Sequence, residues 1–145
     1  MDYWDTSAIL KLYVAEHDST YFLRLIAETN EPILSSAIVT TEMLCALYRK
    51  QRAGDLKEGG ANTIFRKFNA DLRAGRIVTI PYGADVEAGA EKLIRLAFHD
   101  PGPVLIRSLD AIHIASALVG NARRLVATDA RLREAASLAG LKVLP

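Results

Sequence analysis

Four acidic residues stand where the chain could do chemistry: Asp5 in "YWDTS", Glu42 in "SSAIVTTEMLCALYRK", Asp110 in "SLDAIHIASAL" and Asp129 in "LVATD". Asp110 is the sharpest case. It is the only formal charge between Arg107 and Arg123, on a helix otherwise apolar or small. A lone carboxylate in such a setting is costly unless something compensates it. Each acid also has a plain structural role open to it. Asp5 and Asp129 can cap the helices that follow them, and Asp129 can pair with Arg133 at i+4. Glu42 and Asp110 can complement a helix dipole, and Asp110 has His113 one turn on.

Together the four say more, because all lie near the end of a strand or in the first turn of a helix. Carboxylates gathered at one edge repel unless they are protonated or bridged by cations. Hard divalent cations take oxygen ligands, and such sites suit phosphoryl chemistry. The expected compensation for Asp110 is therefore a divalent cation, helped by the helix N-terminus, rather than a salt bridge. All four carboxyl groups are expected to converge on one cleft. Other chemistries fit less well. Zinc prefers Cys and His, and Cys45 and the scattered His17, His99 and His113 show no HExxH-like spacing. There is no GxxxxGK[ST] loop, GxGxxG turn or GxSxG elbow.

The elements that must position these acids alternate. "MDYWD", "PILSSA", "RIVTIP", "RRLVATD" and "LKVL" read as strands. Helical patterns cover "SAILKLYVAE", "STYFLRLIAETN", "VTTEMLCALYRKQRAG" with Gly54 as its stop, a polar stretch from Asp55 to about Ala74 weakened by Gly59-Gly60, "ADVEAGAEKLIRLAF", the "SLDAIHIASAL" segment with Ser108 as N-cap, and "ARLREAASLAG" ended by Gly140. "HDPGP" reads as a turn or loop. This order implies an α/β fold with three layers, α/β/α, around a central mostly parallel sheet. Ligands then bind outside the carboxyl ends of the strands, where the acids lie.

With 145 residues the chain is expected to form one domain, residues 1–145. A net charge of +1 with dispersed basic residues makes no case for nucleic acid by charge alone. Cys45 has no internal disulfide partner and is expected to be a buried, inert thiol in a reducing compartment. No basic n-region precedes an apolar run, and no run nears the roughly 20 residues needed to span a bilayer. The expectation is a soluble, cytoplasmic protein without membrane contact.

"WDTSAILKLYVAE", "SSAIVTTEMLCAL", "SLDAIHIASAL" and "LVATDARL" resemble, in order and over essentially the whole chain, the four acidic motifs of PIN-domain proteins. The nearest likeness is to VapC-type toxin ribonucleases of toxin–antitoxin pairs. The resemblance implies Mg²⁺- or Mn²⁺-dependent endoribonuclease cleavage of RNA, with Asp5, Glu42, Asp110 and Asp129 at the family's acidic positions. Asp5 and Asp110 are expected as direct metal ligands, with Glu42 and Asp129 completing the set. Thr6 or Ser7, and Thr128, match the small hydroxyl positions beside the acids. The resemblance also implies a homodimer and a cognate antitoxin that blocks the cleft. "HDPGPVLIR" matches no family motif.

His113 is expected either to donate to a carboxylate or to pack in the core. Lys11, Arg49, Arg52 and Arg107 are candidate RNA contacts by their nearness to the motifs. Trp4 is expected in the core. "YFLRLI" and Tyr48 are expected to pack on the sheet, with a dimer or antitoxin face as the other option. Two rival readings remain: a receiver-type Mg²⁺-binding signalling module, which lacks an acid after "RIVTIP", and a non-catalytic PIN scaffold acting through partners.

Overall fold

The strand runs "YW", "ILSS" and "RLV" are largely buried, the pattern of central strands covered from above and below, while "IVTI" and "KVL" are partly exposed. The computed structural model describes residues 1–99 and 105–145. Among these the strands are β1 (Tyr3–Trp4), β2 (Ile33–Ser36), β3 (Ile77–Ile80), β4 (Arg124–Val126) and β5 (Lys142–Leu144). The helices are α1 (Thr6–Leu10), α2 (Ser19–Ala27), α3 (Val39–Ala53), α4 (Gly60–Arg73), α5 (Ala84–His99), α6 (Ser108–Val119) and α7 (Ala130–Leu138). The sheet order is β3-β2-β1-β4-β5 and every pairing is parallel. The expected three-layer α/β/α architecture is observed.

Alternation along the strands divides the core. Tyr3, Leu34 and Leu125 pack beneath α5, α6 and α7, while Trp4, Ile33, Ile77 and Val126 pack against α1 to α4. Each buried Leu, Ile or Phe in these layers contributes about 1.5–3 kcal/mol. Helix α6 is held unusually close. A Cβ at Gly120 would lie 2.5 Å from Leu34 Cδ2 and 3.2 Å from Ile80 Cδ1, and one at Gly89 would lie 3.2 Å from Ala115 Cβ. The chain runs from β1 through β2 to β3 on one side, then returns to β4 and β5 on the other. The strand order therefore reverses between β1 and β4, and the crevice beyond their carboxyl ends is the natural ligand position.

Several local readings change. Helix α1 stops at Leu10 instead of running to Glu16, because the Lys11 ammonium folds back onto Glu16 and Asp18, each at 2.6 Å. Lys11 is thereby buried in an ion cluster and is removed from the RNA candidates. The Gly59-Gly60 pair does not interrupt a helix. Gly59, at φ +74°, precedes α4, so the helix begins only there. Gly54, at φ +88°, ends α3 as expected. Ser108 is the first residue of α6, and its N-cap is Arg107. Residues 100–104, most of the "HDPGP" segment, lie outside the described residues. No helix among the described residues is long and apolar enough to cross a membrane.

Candidate active site

Asp5 follows β1 and Asp129 lies three residues beyond the end of β4, and the two meet because the strands pair, with the Asp5 N–H donating to the Val126 carbonyl at 3.0 Å. Glu42 arrives from the first turn of α3 and Asp110 from the first turn of α6. All four line one groove of about 600 Å³, together with Thr6, Ser7 and His113. The four residues predicted to meet thus share one groove, although no three of their side chains form a closed cluster among the described residues. A smaller groove of about 370 Å³ opens near the amino ends of β2 and β3. Its Asp71 is already bound by the Tyr13 hydroxyl at 2.6 Å and by Arg76 at 2.5 Å.

Asp5 is only 5% exposed. It caps α1, accepting from the Ala8 N–H at 2.8 Å and from the Ser7 hydroxyl at 2.7 Å. Among the described residues no cationic side chain bonds to it. Burial pushes its carboxyl above the ordinary range, and the bonds from Ser7 and Ala8 and the nearby His113 only partly offset this. Ser7 is in turn fixed by Thr128, with the two hydroxyls 2.7 Å apart. Thr128 thus supports the site from behind and does not line it.

Glu42 Oε2 accepts from the Thr6 hydroxyl and, at 2.8 Å, from His113 Nε2. The other ring nitrogen, Nδ1, lies 2.6 Å from the Tyr3 hydroxyl. Burial, reinforced by Asp5, raises the Tyr3 phenol far above its ordinary value, so Tyr3 stays a neutral phenol placed to donate to Nδ1. With Tyr3 as that donor, Nε2 carries the ring proton that points at Glu42. Burial pushes the Glu42 carboxyl up, but His113 and Thr6 outweigh it and hold it below the ordinary range. Both alternatives for His113 hold together: it is a core residue, 4% exposed, and it orients a groove carboxylate. Its partner is Glu42, not Asp110.

The compensation of Asp110 differs from the expectation. Arg107 Nε donates to Asp110 Oδ2 at 2.9 Å and Nη2 donates to Oδ1 at 3.1 Å. The Arg107 N–H adds a bond to Oδ2 at 3.1 Å. A salt bridge is therefore present, from a residue adjoining the helix that carries the acid. Arg107 Nη2 also donates to Asp129 Oδ2 at 2.9 Å. Asp129 caps α7 through the N–H groups of Arg131 and Leu132 as expected, but its ion pair is with Arg107 and not Arg133. Burial raises the Asp129 carboxyl, and the Leu132 N–H and Arg107 more than reverse this. No three His, Cys, Asp or Glu side chains among the described residues are gathered closely enough to enclose a metal ion.

Cys45 is exposed on the groove wall, not buried, with Arg49 Nη2 3.2 Å from its sulfur. Glu42, Cys45 and Arg49 share the face of α3 opposite Val39, Met43 and Leu47, which take the core. Arg49 and Arg107 line the groove, whereas Arg52 does not. Trp4 is buried, as expected. In the "YFLRLI" stretch Phe22 is buried while Tyr21 and Leu23 are exposed, as is Tyr48 on α3. Tyr3 is the residue the sequence reading missed. Its one available signal was a phenol on the two-residue strand that delivers Asp5.

The PIN domain profile matches residues 3–138. Ribonuclease VapC46 of Mycobacterium tuberculosis is 31% identical over 144 residues, covering 98% of this chain and 95% of that protein. Two solved structures share the fold. VapC20 of Mycobacterium tuberculosis, described as a Sarcin-Ricin loop cleaving toxin, superposes with a TM-score of 0.69 at 20% identity, covering 97% of this chain and 96% of that one. VapBC2 from Rickettsia felis, bound to a DNA fragment from its promoter, gives a TM-score of 0.65 at 18% identity, covering 99% and 98%.

Proposed function

Because this chain belongs to the PIN-domain family, in its VapC type, we propose that it is a divalent-metal-dependent endoribonuclease acting as the toxin of a toxin–antitoxin pair. The carrying observation is the single groove that receives Asp5, Glu42, Asp110 and Asp129 from four separate segments. The RNA substrate, the inhibition of growth or translation, a cognate antitoxin and a homodimer belong to the same reading. Ribonuclease VapC46 and the VapBC2 assembly support it by likeness.

The donor set fits Mg²⁺ or Mn²⁺. It is all oxygen, and Asp5 is a desolvated carboxylate with no cationic partner among the described residues. Asp5 and Asp110 would hold the ion, with Glu42 and Asp129 completing the set. When bound, the ion supplies an activated water and neutralises charge on the phosphate. The chain's own groups do the positioning. Ser7, backed by Thr128, and the Ala8 N–H fix the Asp5 carboxylate. Thr6 and His113 fix Glu42 through Oε2, leaving Oε1 without a protein donor among the described residues and free to accept from a water. Arg49 and Arg107 offer guanidinium groups to the RNA backbone from the groove wall.

Purified protein with Mn²⁺ is expected to cleave RNA, and Asp5→Asn and Asp110→Asn to lose cleavage while keeping the native circular dichroism spectrum. Full activity in either variant overturns the site. Sequencing RNA ends after induction in cells, with the Asp110→Asn control, identifies the target. A short neighbouring gene whose product binds the chain and suppresses cleavage tests the antitoxin. A folded wild-type protein without cleavage in any divalent metal would favour the scaffold reading.

A further inference from the structure

The hydrogen bonds at Asp110 and Asp129 leave one replaceable donor between them. Asp110 Oδ2 is taken by Arg107 Nε and by the Arg107 N–H. Asp129 Oδ1 is taken by two backbone N–H groups of the α7 cap. The remaining oxygens, Asp110 Oδ1 and Asp129 Oδ2, both bond the same atom, Arg107 Nη2, at 3.1 and 2.9 Å. A cation that bridges these acids takes the place of that nitrogen. The Arg107 guanidinium is reached from solvent. Its side chain is 50% exposed, against 6% for Asp110, and Nη1 carries no hydrogen bond among the described residues. The backbone bond from the Arg107 N–H to Asp110 stays when the guanidinium swings away, so the start of α6 survives the exchange.

We propose that Arg107 is a displaceable counter-ion: its guanidinium holds the cation position between Asp110 and Asp129, and the arriving divalent ion releases it to bind an RNA phosphate. The inference rests on the metal-dependent reading of the site. It accounts for two observations together, the salt bridge on Asp110 and the absence of an open metal cage among the described residues. Two carboxylates facing each other without a cation repel, and the guanidinium removes that repulsion. Once freed, its planar fork matches two phosphate oxygens. Cation uptake and backbone binding are thereby coupled, since the same side chain serves one state or the other.

Mn²⁺ binding to the full chain, followed by titration calorimetry without RNA, is the first test. Arg107→Ala is expected to bind Mn²⁺ at least tenfold more tightly than wild type, with Arg107→Lys between them. The second readout is binding of a single-stranded phosphorothioate RNA at varied salt. With Mn²⁺ present, Arg107→Ala is expected to lower the slope of log K against log salt by about 0.7, one phosphate contact on a single strand. Without divalent ions the slope should be unchanged, because the guanidinium is then bound to the acids. Equal or weaker Mn²⁺ affinity in Arg107→Ala, with wild type binding normally, overturns the exchange and leaves the metal site standing. No Mn²⁺ binding by wild type, Arg107→Ala or Arg107→Lys overturns both. An unchanged salt slope with Mn²⁺ present removes the phosphate role.

Discussion

Removing one oxygen beneath the groove should separate the orientation of Glu42 from the chemistry at the acids. Tyr3→Phe keeps the ring, its edge-on packing against His113 and its place in β1. It deletes only the hydroxyl that donates to His113 Nδ1 at 2.6 Å. Tyr3 is fully buried and His113 is 4% exposed, so water does not replace the lost donor without opening the core. The net bond is worth about 0.5–1.5 kcal/mol, and leaving Nδ1 unsatisfied costs about 1–3 kcal/mol. A loss of about 1–3 kcal/mol is expected, read as a lower urea midpoint at unchanged m. At 2–4 °C per kcal/mol, Tm falls by about 2–12 °C. The imidazole then no longer holds a fixed tautomer toward Glu42, and RNA cleavage should fall about 10–100-fold, as when a partner behind a metal ligand is removed. The cost should shrink in a His113→Ala background. There the Tyr3 hydroxyl has already lost its His113 partner, and Tyr3→Phe becomes close to neutral. An equal cost in both backgrounds, or a single-variant change below about 0.5 kcal/mol, would refute the Tyr3–His113–Glu42 chain.

Asp5→Asn keeps the α1 cap and removes a charge that burial disfavours, so it should melt at or above wild type while losing cleavage. Asp5→Ala should lose cleavage and also about 1 kcal/mol of cap energy, both checked by thermal melts beside RNA digests. Gly120→Ala forces a methyl to 2.5 Å from Leu34 Cδ2 and should cost about 1–3 kcal/mol in denaturant titrations. The Lys11 cluster sets an acid limit. Lys11 and Lys50 hold the Glu16 carboxyl below its ordinary 4.5, and Lys11 holds Asp18 below 3.8. A depressed folded pKa stabilises above the unfolded value and is lost as pH falls through the folded one. Stability measured from pH 5 downward should therefore fall, and Lys11→Met should flatten that part of the profile.

The acids were legible because strand-end and first-turn positions are local properties of a sequence. "YWDTS" and "LVATD" show Asp5 and Asp129 as caps, and the alternation of strands and helices puts them on one edge. What joins distant segments was not legible. Arg107 lies three residues before Asp110, yet nothing local says that it also reaches Asp129. Glu42 offered no i,i+4 partner, and its real partners, Thr6 and His113, come from other elements. Cys45 was misplaced because a small apolar residue on a helix reads as core, and only the packing of Met43 and Leu47 shows which face α3 turns inward. The length of α1 was overestimated for a similar reason. Its apolar pattern continues past Leu10, but the charge cluster around Lys11 bends the chain before the pattern ends.

The pairing of β1 with β4 also sets a time for the site to exist. Asp5 is synthesised well before Asp129, which reaches it only after β4 has docked beside β1 and α7 has begun. Helix α7 and strand β5 pack on this half of the sheet, so residues 130–145 help hold Asp129 in place. A growing chain at ordinary synthesis rates spends about 1–3 s on residues 130–145. Until then it carries three of its four acids and an incomplete groove. Under the proposed ribonuclease reading, the late strand delays cleavage until these residues are made, and it leaves an interval in which the proposed antitoxin can already be waiting.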